Sequence, residues 1–401
     1  KAKATSATVT ISNVTASHSS PELQVVERDM AGPLAAHGNA IYMHMGLFKR
    51  VDALFEQRVT LGLDAEQLRL LERIHLDFVR AGAKLSADAQ KQYATVTEKL
   101  AELTTTFSQN VLADEAEYQL VLKSDADLAG LPDFLRAAAK QAALERGLND
   151  GWVITLSRSL IVPFLTFSTR ADLRKIAHQA WVSRGEGVNI PGKYNNLPII
   201  GEIMALRLQQ ANLHGYASYS DYALADTMAG SKEAVAGLLK EVWGPALKRA
   251  GDERTALQAL ADAEAAGRGA PANAVTPADW RYFAEKVRQA RYDLDDAAVK
   301  PYFPLERIVE AVFDCAQRLF GISFSPRTDL AGYHPDVKVY EVQSAAGNTI
   351  GLFLQDNFAR ATKRGGAWMS YLRMQSRQGG AGGTEQVLPI VLNNNNFAKG
   401  A

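Results

Sequence analysis

The chain has 401 residues, 47% of them hydrophobic, enough to bury a large core across about two or three structural units. Lysine plus arginine number 44 and aspartate plus glutamate 44, so no global field draws nucleic acid or an anionic membrane to it. The one cysteine, Cys315, excludes an intramolecular disulfide and a cysteine-based zinc site, and a reducing, cytoplasmic setting is expected.

The N-terminal stretch KAKATSATVTISNVTASHSS carries basic residues with no hydrophobic segment behind them, and no apolar run approaches the roughly 20 residues that cross a bilayer. From about Pro21 to Phe320 the pattern is helical. LDAEQLRLLERIHLDFVRAG reads as a helix with Asp64 as N-cap and Ala81-Gly82 as its stop. Tyr93, Val96, Leu100, Leu103, Phe107 and Val111 recur every three or four residues, the stripe of a long amphipathic helix that Ser86 caps. Further helices fit DFLRAAAKQAALERG, TRADLRKIAHQAWVSRG, LPIIGEIMALRLQQANLHG, the long segment from Ser231, PADWRYFAEKVRQARYDL and LERIVEAVFDCAQRLFG. Gly267 to Pro277 is a linker.

After Gly321 the period changes. Val337–Gln343, Asn348–Asp356, Gly366–Met374 and Val387–Asn393 read as strands, with AAGN and QGGAGGTEQ as turns, and their hairpin-like spacing predicts a mostly antiparallel sheet. The fold class expected is mainly α: a multi-helix body over 1–336, then a small sheet near the C-terminus over 337–401. The four asparagines in VLNNNNFAKGA read as a connection.

Motifs for chemistry are sparse. None of the seven histidines stands three or four residues from another, the spacing a helix-borne metal pair needs. There is no G-x-S-x-G elbow, P-loop or G-x-G-x-x-G. The adjacent acids Asp114-Glu115 and Asp295-Asp296 are read as solvated faces. Gly365 and Gly366 stand out because glycine weakens a strand start unless a turn or a close backbone makes the missing side chain useful. Two readings stay open there: a tight turn with Trp368 in the core, or an edge that accepts an extended peptide. Lys363 and Arg364 read as an exposed basic turn.

Taken together, LADEAEYQLVL, YDLDDAAVKPYFPL, LFGISF, YHPDVKVYEV, FARATKRGGAWM and PIVLNNNNF resemble the M3 family of zinc metallopeptidases, in the same order from about Pro21 onward. The resemblance implies a mostly helical, two-lobed body with a channel for short unstructured peptides. It also implies a zinc held by H-E-x-x-H and a downstream glutamate, and cytoplasmic removal of C-terminal dipeptides from oligopeptides. On the same basis Gly365, Gly366, Ala367 and Trp368 are expected to bind substrate backbone. H-E-x-x-H does not occur in the 401 residues. The expectation is therefore a portion of such an enzyme, without catalytic or metal-binding residues of its own, binding no zinc and inactive without a C-terminal catalytic portion. Endopeptidase action within the family, or a non-catalytic helical peptide-binding or scaffold protein, are the alternatives. No nucleic-acid or membrane partner is expected.

Overall fold

A computed structural model describes residues 2–271, 273–292, 296–376 and 386–399, the side chains of residues 2–8 and 296–297 excepted. The QGGAGGTEQ turn and the Asp295-Asp296 pair fall largely outside these residues. The chain is mainly α, and its contacts divide it into two compact units.

The first unit holds residues 1–5, 21–110 and 195–247. Its helix Ala65–Arg80 starts on a capping box, in which Asp64 accepts from the Gln67 backbone at 2.8 Å and Gln67 accepts from the Asp64 backbone at 3.2 Å. It ends at Ala81, and Gly82 then turns the chain at φ 95°. Ser86 Oγ accepts from the Ala89 N–H at 3.3 Å before the long Ala87–Glu117 helix. That helix buries Tyr93, Val96 and Leu103. The helices Met45–Glu56 and Ala65–Arg80 pack through Phe48 and Phe78. His75 is buried there, stacked on Phe55 at 3.8 Å and bonded to Asp52 at 2.9 Å.

The second unit holds residues 6–20, 111–194 and 248–401. Its main core gathers the helices Asp133–Leu144, Arg158–Phe167 and Ala171–Val182 around the antiparallel pair β1 (Leu120–Leu122) and β2 (Trp152–Ile154). Periodicity misses Arg158–Phe167, because LIVPFL is apolar all round and contains Pro163; burial of Leu160, Ile161, Phe164 and Leu165 explains that composition. Phe164 is fully buried, so Phe164→Ala is expected to cost about 3–5 kcal/mol, measurable by chemical denaturation.

The same unit carries a five-stranded sheet: β3 (Ser323–Pro326), β4 (Lys338–Gln343), β5 (Thr349–Phe358), β6 (Trp368–Arg373) and β7 (Ile390–Phe397). Its order is β3-β4-β5-β7-β6. Pairings are antiparallel except β5 with β7, which is parallel because β7 inserts between β5 and β6. Strand β3 is a fifth strand beyond the four read from periodicity. The asparagine run is also a correction: Asn393–Asn396 lie inside β7, with Asn393 and Asn394 paired to both β5 and β6, not in a connection. The helix α1 (Ala2–Ser17) precedes all of these, and its residues from Ser6 onward belong to this unit.

Candidate functional site at the sheet edge

Among the described residues, strand β6 is the last strand of its sheet and pairs only with β7, so one side of its backbone is an edge. Register aligns Trp368 with Asn394 and Asn394 with Asp356, a row that crosses three strands. Asn394 and Asp356 are fully buried. With its amide oriented to satisfy both ends, Asn394 accepts from Trp368 Nε1 at 3.3 Å and donates to Asp356 Oδ2 at 3.2 Å. The indole is thereby tied to a buried carboxylate two strands away.

Asp356 is the centre of this network. Tyr333 Oη donates to it at 2.6 Å, Arg360 at 2.6 Å and 2.9 Å, and Lys363 Nζ lies 2.9 Å away. Burial pushes the carboxyl upward, but Arg360, Tyr333 and Lys363 together outweigh it and hold Asp356 below the ordinary carboxylate range. Lys363 is itself fully buried, correcting its reading as part of an exposed basic turn; Arg364 is exposed. The ammonium donates to the carbonyls of Asp356 at 3.0 Å, Phe358 at 3.2 Å and Asn395 at 2.6 Å, so it ties the end of β5 to β7. Burial pulls Lys363 down to about 8, with Asp356 pulling the other way.

Asp356 has a lower folded than unfolded value. Its stabilising contribution is therefore complete above about pH 4 and disappears as pH falls through the folded value. Unfolding measured across acid pH is expected to show this loss, and Asp356→Asn to flatten that part of the profile.

This network positions the candidate substrate residues. Gly365 and Ala367 are exposed, Gly366 and Trp368 half-buried. Gly366 sits at φ 98°, where an L side chain is strained, which accounts for one glycine of the pair. At Gly365 a methyl group would make only ordinary contact, with Glu115 Oε2 at 3.6 Å. Asn396 reaches from β7 to donate to the carbonyls of Arg364 at 3.0 Å and Gly366 at 2.5 Å, which clamps the turn. The Arg364 guanidinium lies 4.8 Å from the Trp368 ring centre. The four predicted residues thus lead from a clamped turn into an edge strand, with Trp368 half-buried rather than in the core. What pattern reading missed is Asp356, Tyr333, Arg360, Asn394 and Asn396. The available signal was the position of NNNN directly after the apolar run PIVL, where strand alternation sends Asn394 to one face and Asn393 and Asn395 to the other.

A cavity of about 80 Å³ adjoins this turn, lined by Gly365, Glu115, Thr155, Arg360, Lys363 and Asn396 among others. Burial raises the Glu115 carboxyl above its usual value despite its ion pair with Arg184. Among the described residues no three His, Cys, Asp or Glu side chains are grouped to hold a metal ion. His18 and His334 have ring centres 5.0 Å apart, but His18 Nδ1 is bonded to Thr362 Oγ1 at 3.1 Å and His334 Nδ1 accepts from the Asp336 N–H at 3.1 Å.

The family model described as Peptidase family M3 matches residues 164–400, more than half of the chain. The chain belongs to peptidase family M3. This M3 chain is 37% identical to dipeptidyl carboxypeptidase of Escherichia coli (strain K12) over 390 residues, covering 97% of the chain and 55% of that protein. It is 31% identical to oligopeptidase A of Salmonella typhimurium, over 94% of the chain and 54% of that protein. With organellar oligopeptidase A of Arabidopsis thaliana it shares 27%, over 95% of the chain and 48% of that protein. The chain spans about half the length of the curated relatives it matches. No described helix is long and apolar enough to cross a membrane.

Proposed function

We propose that this M3 chain forms a substrate-binding wall of a cytoplasmic zinc peptidase acting on short oligopeptides. Gly365, Gly366, Ala367 and Trp368 receive the extended peptide backbone, and the helical body walls the substrate channel. The observation that carries this is the placement of β6 at the sheet edge behind a turn clamped by Asn396. An edge strand offers unpaired N–H and C=O groups that an incoming peptide completes as a further strand. Identity to a dipeptidyl carboxypeptidase supports release of C-terminal dipeptides as the reaction, and identity to oligopeptidase A supports internal cleavage as the second reading. The zinc ligands are proposed to come from outside the described residues, since no suitable group occurs among them.

The test is incubation of the whole protein with oligopeptides bearing free or amidated C-termini, with products identified by mass spectrometry. Dipeptide release from free but not amidated peptides is expected. Internal cleavage of both would establish the oligopeptidase reading instead, and peptide binding with no cleavage would establish a non-catalytic binding protein. For the 401-residue chain alone, titration is expected to show no stoichiometric zinc; tight one-to-one binding would overturn the proposed origin of the ligands.

A further inference from the structure

The edge of β6 is not open along its whole length. Its register against β7 shifts between Tyr371 and Arg373, and such an irregularity bends a strand and disrupts the regular ladder. At that point a side chain from α1 takes up an edge position. Asn13 Nδ2 donates to the Tyr371 carbonyl at 3.0 Å, and Asn13 Oδ1 accepts from the Ser370 hydroxyl. Asn13 Nδ2 also donates to the Val9 carbonyl at 2.8 Å, one helical turn back.

The helix that carries Asn13 is fastened to the same loop that leads into β6. The Arg364 N–H donates to the Ala16 carbonyl at 2.8 Å, and the Ser19 N–H to the Thr362 carbonyl at 2.8 Å. The Arg360 guanidinium, while paired with Asp356, also donates to the Ser17 carbonyl. The bonds to Ala16 and Ser17 satisfy carbonyls that the C-terminus of α1 leaves without helical partners. They also place Asn13 at a set distance from the Gly366 turn. Between the turn and the stop lie Ala367, Trp368, Met369 and Ser370, about 13 Å of extended chain at ~3.3 Å per residue. Within this stretch Ala367 is exposed and Met369 is 72% exposed.

We infer that Asn13 is a specificity-determining residue that ends the usable edge of β6, so that strand addition is limited to about four residues of a short, extended peptide. The inference rests on the peptide-edge reading above and adds a length limit set by α1. By holding the Tyr371 carbonyl, Asn13 withholds an acceptor that a longer peptide would otherwise use.

The test measures binding of N-acetylated peptides of three to eight residues to the 401-residue chain by calorimetry. For the unaltered protein, affinity is expected to rise with length to about four or five residues and then level off. In Asn13→Ala the plateau is expected to move out by one or two residues, with longer peptides gaining about five-fold. Asn13→Ser is the second variant: its hydroxyl can keep the local bond to the Val9 carbonyl but is too short to hold Tyr371, and the same shift is expected. Length dependence unchanged in both variants would overturn the role of Asn13 while leaving the peptide edge intact. Absence of binding at every length in the unaltered protein would overturn the edge reading and this inference with it.

Discussion

Asp356→Ala is expected to destabilise the sheet-bearing unit by about 3–5 kcal/mol, because it leaves the buried Lys363 and the partly buried Arg360 facing an emptied site. Lys363 is fully buried beside Asp356, Arg360 is bonded to both of its oxygens, and Tyr333 loses an acceptor at 2.6 Å. Lys363 would retain its three carbonyl partners but not its counter-charge. Adding Lys363→Met to Asp356→Ala removes one unpaired cation and is expected to recover part of the loss, so the two substitutions should be strongly non-additive in a double-mutant cycle. Equal and additive effects in denaturant unfolding would show that the pair does not act as a unit. Because the loop held by this pair carries the proposed substrate segment, Asp356→Ala is also expected to weaken peptide binding at temperatures where the protein is still folded.

Gly366→Val is expected to lower affinity for an N-acetylated pentapeptide by about ten-fold or more, at a stability cost of about 1–3 kcal/mol. The cost follows from φ 98°, which a β-branched residue adopts poorly. Among the described residues other than its chain neighbours, nothing lies within 4 Å of the position a Cβ would take at Gly366, so the fold can house the added atoms. They would stand at the head of the edge strand, where the proposed peptide backbone approaches. Gly365→Ala meets only Glu115 Oε2 at 3.6 Å and is expected to cost less stability. Unchanged peptide affinity in a folded Gly366→Val protein would remove Gly366 from the binding segment.

The helical body was legible wherever one face is apolar and the ends are marked. The stripe from Tyr93 to Val111 and the caps at Asp64 and Ser86 depend on neighbours three or four residues away, and such signals survive in one dimension. The helix Arg158–Phe167 was not legible, because a segment buried on all sides has no polar face to reveal its period. In the candidate site, the glycine pair announced a special backbone, and φ 98° at Gly366 gives the reason. Lys363 was misread because lysine in a Gly-rich turn is ordinarily solvated, and only a buried carboxylate and three carbonyls from two strands make its burial tolerable.

By itself the sequence determined the mainly α class, the change of period after Gly321, the strands flanking Gly365-Gly366, and motifs distinctive enough to indicate the M3 family. Only the tertiary structure decided that β7 inserts between β5 and β6, because strand order depends on contacts between residues far apart in the chain. That insertion turns four asparagines from an apparent connection into a paired strand. It sets Asn394 between Trp368 and Asp356, Asn396 over the Gly366 turn, and the Asn395 carbonyl on Lys363. The physical reason is the same for each: a polar side chain is tolerated in a buried sheet when its partners are supplied by other strands, and no local pattern records which strands those will be.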